Sequence, residues 1–157
     1  MAFTTFSGPI RSGTVREGAG RNTGLAILSQ SYDTGDLTGT VIGSVDTAVI
    51  TLPRGTQITD ITVDQVTAAT AGTTSISVGN ASGGAQLMAA VVTTVGGRFR
   101  GAATAVTQNN WQTSTTADTT VFVRVTVAVA TLTAGRAIIT VNYVQRADTG
   151  AQNPVSA

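Results

Sequence analysis

Residues 121–129 read VFVRVTVAV, and this alternation constrains the chain more than any other feature. Val121, Val123, Val125, Val127 and Val129 fall on one face of an extended strand. Phe122, Arg124, Thr126 and Ala128 fall on the other. A helix would spread the same valines around its axis, and β-branched side chains favour the pleated surface. A strand with one apolar face needs a second layer to cover it. Residues 137–144 repeat the pattern with Ala137, Ile139, Val141 and Tyr143.

The rest of the chain supplies more strands of the same kind. Residues 25–31 form a short apolar strand, and Asp33-Thr34-Gly35-Asp36 is turn chemistry. Leu37 to Val45 holds two short apolar runs broken by Gly39 and Gly43. Asp46 to Leu52 places Ala48, Ile50 and Leu52 on one face and stops at Pro53. Residues 57–68 have a phase slip between Ile58 and Ile61 that a bulge near Thr59-Asp60 reconciles. Residues 74–79 are another strand. Residues 87–95 and 98–106 flank Gly96-Gly97, which predicts a hairpin. Eight to ten strands at this spacing, with no convincing helix, predict an antiparallel β-sandwich or barrel. The 30 Thr, 19 Val and 18 Gly in 157 residues agree with an all-β domain. No internal repeat points to a propeller or solenoid.

Residues 1–24 differ from the rest. They hold five Gly, Pro9 and three Arg (Arg11, Arg16, Arg21), with no period of 2 or 3.6. The division expected is an extended N-terminal arm (1–24), a sandwich domain (25–146) and a loose C-terminal tail (147–157).

Composition removes most catalytic chemistry. The chain has no His, no Cys and no Lys. Catalytic triads, disulfides, thiolate zinc sites, Schiff bases and P-loops all lose their central residue. A net charge of +1 and few aromatics do not suit a general nucleic-acid binder. No stretch has the length of a membrane helix, and no signal peptide is visible at Met1–Phe6. No enzyme, no cofactor, no metal, no direct nucleic acid and no membrane contact is therefore expected.

The remaining motifs have ordinary explanations. Asp33-Thr34-Gly35 and Asp148-Thr149-Gly150 spell the aspartic-protease triplet, but neither has the preceding strand and loop context. Gly18 to Gly24 misses the dinucleotide fingerprint by one position and opens no helix. Asp60 and Asp64, with Asp46 on a neighbouring strand, are too few oxygens for calcium. Asn80-Ala81-Ser82 is a sequon without a secretion signal. Arg98 and Arg100 flank Phe99, which reads as a charged solvent face over a core phenyl ring. Trp111, with Asn109 and Asn110, is either a cap over the end of the sandwich or a sugar-stacking platform. Arg124 lies within the strongest strand, so it needs either solvent or a partner; a subunit interface with Phe122 is one solution.

The run Asp46-Thr47-Ala48-Val49-Ile50-Thr51-Leu52-Pro53-Arg54-Gly55-Thr56-Gln57-Ile58 resembles capsid-associated structural proteins of tailed bacteriophages. So does Thr74-Ser75-Ile76-Ser77-Val78-Gly79-Asn80 before its Gly-rich loop. Phe6 to Gly13 is similar to the start of head decoration, or cement, proteins. The resemblance implies a jelly-roll or related sandwich, commonly a homotrimer. It implies placement on the capsid exterior, where the protein bridges major capsid protein subunits and stabilises the shell. With the resemblance in place, Arg11, Arg16 and Arg21 become candidate contacts of an arm laid across acidic capsid patches. The alternative is a glycan- or receptor-binding module of a phage fibre or cell surface, centred on Trp111.

Overall fold

The structure is a computed structural model that describes residues 27–70, 74–100, 110–113 and 117–145. The proposed arm, the tail, Arg11, Arg16, Arg21, Asn109 and Asp148-Thr149-Gly150 lie outside these residues. Eight strands are present: β1 (Ile27–Asp33), β2 (Gly43–Leu52), β3 (Thr56–Thr67), β4 (Thr74–Gly79), β5 (Met88–Val92), β6 (Gly97–Arg100), β7 (Thr119–Val127) and β8 (Arg136–Gln145). They form two four-stranded sheets, ordered β1-β8-β3-β6 and β2-β7-β4-β5. Every pairing is antiparallel. The described chain is thus an all-β, antiparallel sandwich.

The order has a simple logic. First pairs with last, second with seventh, third with sixth, fourth with fifth. The chain is a long hairpin folded at β4–β5, then rolled so that β8 also meets β3 and β7 also meets β4. Rolling buries one face of the inner strands and leaves β4–β5 as the single pairing between strands consecutive in the described chain.

The core follows the alternation. Val121, Val123, Val125 and Val127 point inward from β7, and Ala137, Ile139, Val141 and Tyr143 from β8. Ile61 and Val63 join them from β3, Ile76 and Val78 from β4. Each such side chain contributes about 1.5–3 kcal/mol by leaving water. The register jumps between Ile58 and Asp60, so a bulge at Thr59 brings Ile58 onto the buried face, as the phase slip requires. A second jump, between Gln65 and Thr67, leaves Val66 exposed.

Three expectations change. Gly96-Gly97 does not turn a hairpin: β5 pairs with β4 in one sheet and β6 with β3 in the other. Residues 93–96 cross between the sheets because Met88 and Phe99 serve the same core from opposite sides. Gly97 takes a φ of 145°, which favours glycine at this corner, while Thr93 bonds the Thr74 carbonyl. Residues 98–100 of the expected strand 98–106 are in β6, and 101–106 lie outside the described residues. Ala48 does not share a face with Ile50 and Leu52, because a bulge at Val49 inverts the phase and turns Ala48 outward opposite Phe122. Leu37 to Ile42 is a loop stitched to the 132–137 turn rather than a pair of strand pieces.

Candidate functional site

The outer face of each sheet is polar, and charge there is paired across strands. Arg98 of β6 donates to Asp64 of β3 from both Nε (2.6 Å) and Nη2 (2.9 Å). Arg100 faces Asp60 at 3.5 Å. Arg136 of β8 binds Asp33 of β1, whose carboxylate also accepts the Gly35 N–H at 2.9 Å. The Arg136 hydrogen bond, then that of Gly35, lowers Asp33 to about 2. Asp64 is lowered chiefly by Arg98, and Asp36 by the hydroxyl and then the N–H of Thr38. Asp33-Thr34-Gly35 is therefore an ion-paired turn with its carboxylate held ionised, the opposite of a shared-proton protease dyad. Asp60 and Asp64 share one face, as their spacing predicts, but Asp46 sits on the other sheet. No cluster of metal-ligating side chains occurs among the described residues.

Arg124 finds its partners within the chain. Its Nη1 donates to the Gly83 carbonyl at 2.6 Å, and its Nε lies 3.9 Å from Asp46 on β2. At that distance attraction is purely electrostatic, and Asp46 Oδ1 accepts no hydrogen bond among the described residues. Phe122, two residues away on the same outer face, is half-buried.

Trp111 closes one end of the sandwich. Its indole N–H donates to the Leu87 carbonyl at 2.8 Å, and its own carbonyl accepts the Ile58 N–H at 2.8 Å. Asn110 Nδ2 donates to the Gln86 carbonyl at 3.2 Å. Thr113 bonds the Thr56 carbonyl through both N–H and hydroxyl. The 110–113 segment thus ties the start of β3 to the approach to β5, with the ring half-buried against the core. This is the geometry of a cap: the indole N–H is already used, and one face packs inward.

Sequence reasoning missed two things. Register pairs each Arg of the outer faces with its Asp, and register is invisible in one sequence. It also missed a set of exposed apolar residues: Ile27, Leu28, Val41, Ile42, Val45, Val66, Val92, Val95 and Val129. In the sequence these look like ordinary strand positions, because edge strands and inner strands share one composition.

No protein-family model and no curated protein matches the chain. Solved structures do. A chain in the cyanophage Pam1 capsid asymmetric unit aligns with a TM-score of 0.56 and 21% identity, over 90% of this chain and 98% of that one. A chain in the capsid of Ralstonia phage GP4 aligns with a TM-score of 0.58 and 22% identity, over 88% and 93%. A chain in the acid-stable capsid structure of Helicobacter pylori bacteriophage KHP30 aligns with a TM-score of 0.52 and 16% identity, over 78% and 94%. At this identity the likeness is one of fold. It spans each matched chain almost end to end, so each is a small chain of comparable size.

Proposed function

We propose that this chain is a structural virion protein that binds the outside of a phage head, bridges major capsid subunits and stabilises the shell. The observation that carries this reading is the near end-to-end likeness to small chains in three phage capsid structures. The nested strand pairing supports a jelly roll, an architecture used in viral capsids. A homotrimer would engage several shell sites at once and gain avidity from weak single contacts.

The charge distribution supports an arm that does the gripping. Residues 27–145 hold five Arg and six Asp, for a net of −1, and residues 146–157 one of each sign. Residues 1–26 hold three Arg and one Glu, for a net of +2. The chain's positive charge is therefore concentrated where Arg11, Arg16 and Arg21 stand, each able to take a carboxylate bidentately. No reaction, cofactor, nucleic acid or membrane enters this reading. The described ionisable groups of the sandwich faces are paired with one another.

Co-sedimentation with mature heads stripped of accessory protein tests the proposal. Full-length protein is run beside a variant lacking residues 1–24 and beside the triple Arg11, Arg16, Arg21→Ala variant. Expected is saturable binding at a fixed ratio to the major capsid protein, weakened in both variants. Saturable binding unchanged in both variants overturns the arm's role. No binding by any of the three overturns the decoration reading and moves the weight to a glycan- or receptor-binding module, for which a glycan array with wild type and Trp111→Ala is the next test.

A further inference from the structure

The nine Arg of the chain divide between the sheets and one end of the sandwich. Arg98, Arg100, Arg124 and Arg136 lie on the sheets, each against an Asp of a neighbouring strand. The other five share one end. Arg54 stands in the turn between β2 and β3. Arg11, Arg16 and Arg21 precede Ile27, where β1 begins, and Arg146 follows Gln145, where β8 ends. Register brings these points together. Ile27 pairs with Val144, Val144 with Gln57, and Gln145 with Thr56, two residues past Arg54. The chain before β1 and the chain after β8 therefore both join the sandwich beside the Arg54 turn.

Acidic residues do not follow this division. Set aside the four ion pairs. The Arg54 end and the two terminal segments joined to it then hold five Arg against Glu17, Asp118 and Asp148, a net of +2. The opposite end holds Asp36, in the loop between β1 and β2, a net of −1. The charge of the chain is thus polar along the strand axis, while the sheet faces are neutral through their pairs.

The Arg54 turn holds its backbone fixed. Pro53 restricts its own φ, and Gly55 takes a φ of 71°. The Arg54 N–H donates to Asp118 Oδ1 at 3.0 Å. The Pro53 carbonyl accepts the Thr56 N–H at 3.3 Å and the Thr113 hydroxyl at 3.4 Å. Asp118 thus holds the backbone and forms no ion pair with the guanidinium. Arg54 is exposed, and it alone among the described Arg residues has no carboxylate partner. A guanidinium carried on an ordered turn can take a carboxylate bidentately with little backbone freedom left to lose.

We infer that the sandwich docks end-on: the end bearing the Arg54 turn faces an acidic protein surface, and Arg54 is the contact that the folded domain adds to those of the arm. The paired sheet faces offer such a surface no net attraction, and the Asp36 end repels it. The 110–113 segment lies at the docking end, because Thr113 bonds Thr56, and the loop between β1 and β2 points away. This rests on the decoration reading and adds to it which way the domain stands on the shell.

Co-sedimentation of the full chain with stripped heads is the test, comparing wild type, Arg54→Ala and Arg100→Ala. Arg100 is the matched control, an exposed Arg on a sheet face. Arg54→Ala is expected to bind about three- to tenfold more weakly, and Arg100→Ala within about twofold of wild type. Should Arg54→Ala shift the urea midpoint, Arg54→Gln replaces it. Hydrogen exchange of head-bound wild type gives the orientation: amides of residues 54–57 and 110–113 should gain protection, and those of 34–42 should not. Arg54→Ala that binds like wild type overturns the end-on contact. So does an equal loss in Arg100→Ala, or protection that appears at 34–42 instead. Each of these leaves the decoration reading standing. Wild type that ignores heads overturns that reading and the contact with it.

Discussion

The inner strands and the edge strands of this sandwich differ in how much burial and how much charge pairing holds them. β8 and β3 in one sheet, and β7 and β4 in the other, are paired on both sides. Their inward residues, such as Ile139, Val141, Val123 and Ile76, are essentially inaccessible. Among the described residues β1, β6, β2 and β5 are paired on one side only. Each of the four ion pairs among the described residues ties an edge strand to its inner neighbour: Asp33 to Arg136, Asp64 to Arg98, Asp60 to Arg100, Asp46 to Arg124. Only β5 has no such clasp among the described residues. Burial is non-directional and dominates the centre; at the rim it is thinner, anchored by Ile50 and Leu52 of β2 and Met88 of β5, and registered charge pairs add to it.

The sharpest way to break this comparison is to truncate an apolar side chain to Ala in both places. Ile139→Ala is expected to lose about 2–5 kcal/mol, the cost of a core cavity. Val45→Ala on the β2 edge is expected within about 0.5 kcal/mol of wild type as a monomer. Urea unfolding of both measures the ratio. Equal losses would mean that the edge is as much a core as the centre.

Next in size is the corner that separates β5 from β6. Gly97→Ala meets no atom within 4 Å, so its effect isolates backbone strain at positive φ. The expected loss is about 1–3 kcal/mol. A neutral result would mean that the crossover has an easy alternative path. Smaller again is the cap. Trp111→Phe keeps an aromatic ring but removes the hydrogen bond to the Leu87 carbonyl, and about 0.5–1.5 kcal/mol is expected to go with it.

The same division explains what the sequence reveals. The valine alternation of β7 and the matching phase of β8 are direct consequences of burying one face, so they are readable without a structure. The bulge at Thr59 is readable too, because a phase slip between two apolar runs leaves few other solutions. Gly96-Gly97 misleads, since two glycines permit a sharp turn without saying whether it stays in one sheet. The Asp–Arg clasps are unreadable, because they depend on which strands become neighbours. The exposed apolar residues, such as Val45 and Val92, are unreadable for the same reason. Of the candidate site, Trp111 is legible as a cap; the arm arginines lie outside the described residues.

Acid separates rim from centre with the smallest perturbation. Asp33 falls from an ordinary 3.8 to about 2 in the folded chain. A lowered carboxylate contributes stability that is fully present above its unfolded value, and that is lost as pH falls through the folded value. Asp64 and Asp36 shift in the same direction. With no His, Lys or Cys in the chain, the unfolding midpoint is expected to stay flat from about pH 9 to 5 and to decline only between about 4 and 2. Hydrogen exchange shows where the loss begins. On acidification the amides of β1 and β6, whose clasps use the lowered carboxylates of Asp33 and Asp64, should lose protection before those of β7 and β8, whose inward faces carry no carboxylate. β5 is the internal control: an edge without a clasp should keep its protection unchanged over the same range. Arg136→Gln removes the main partner of Asp33, so β1 should exchange faster already at neutral pH and respond less to acid. If β5 frays together with β1 and β6, exposure rather than charge governs the rim, and the clasps are incidental.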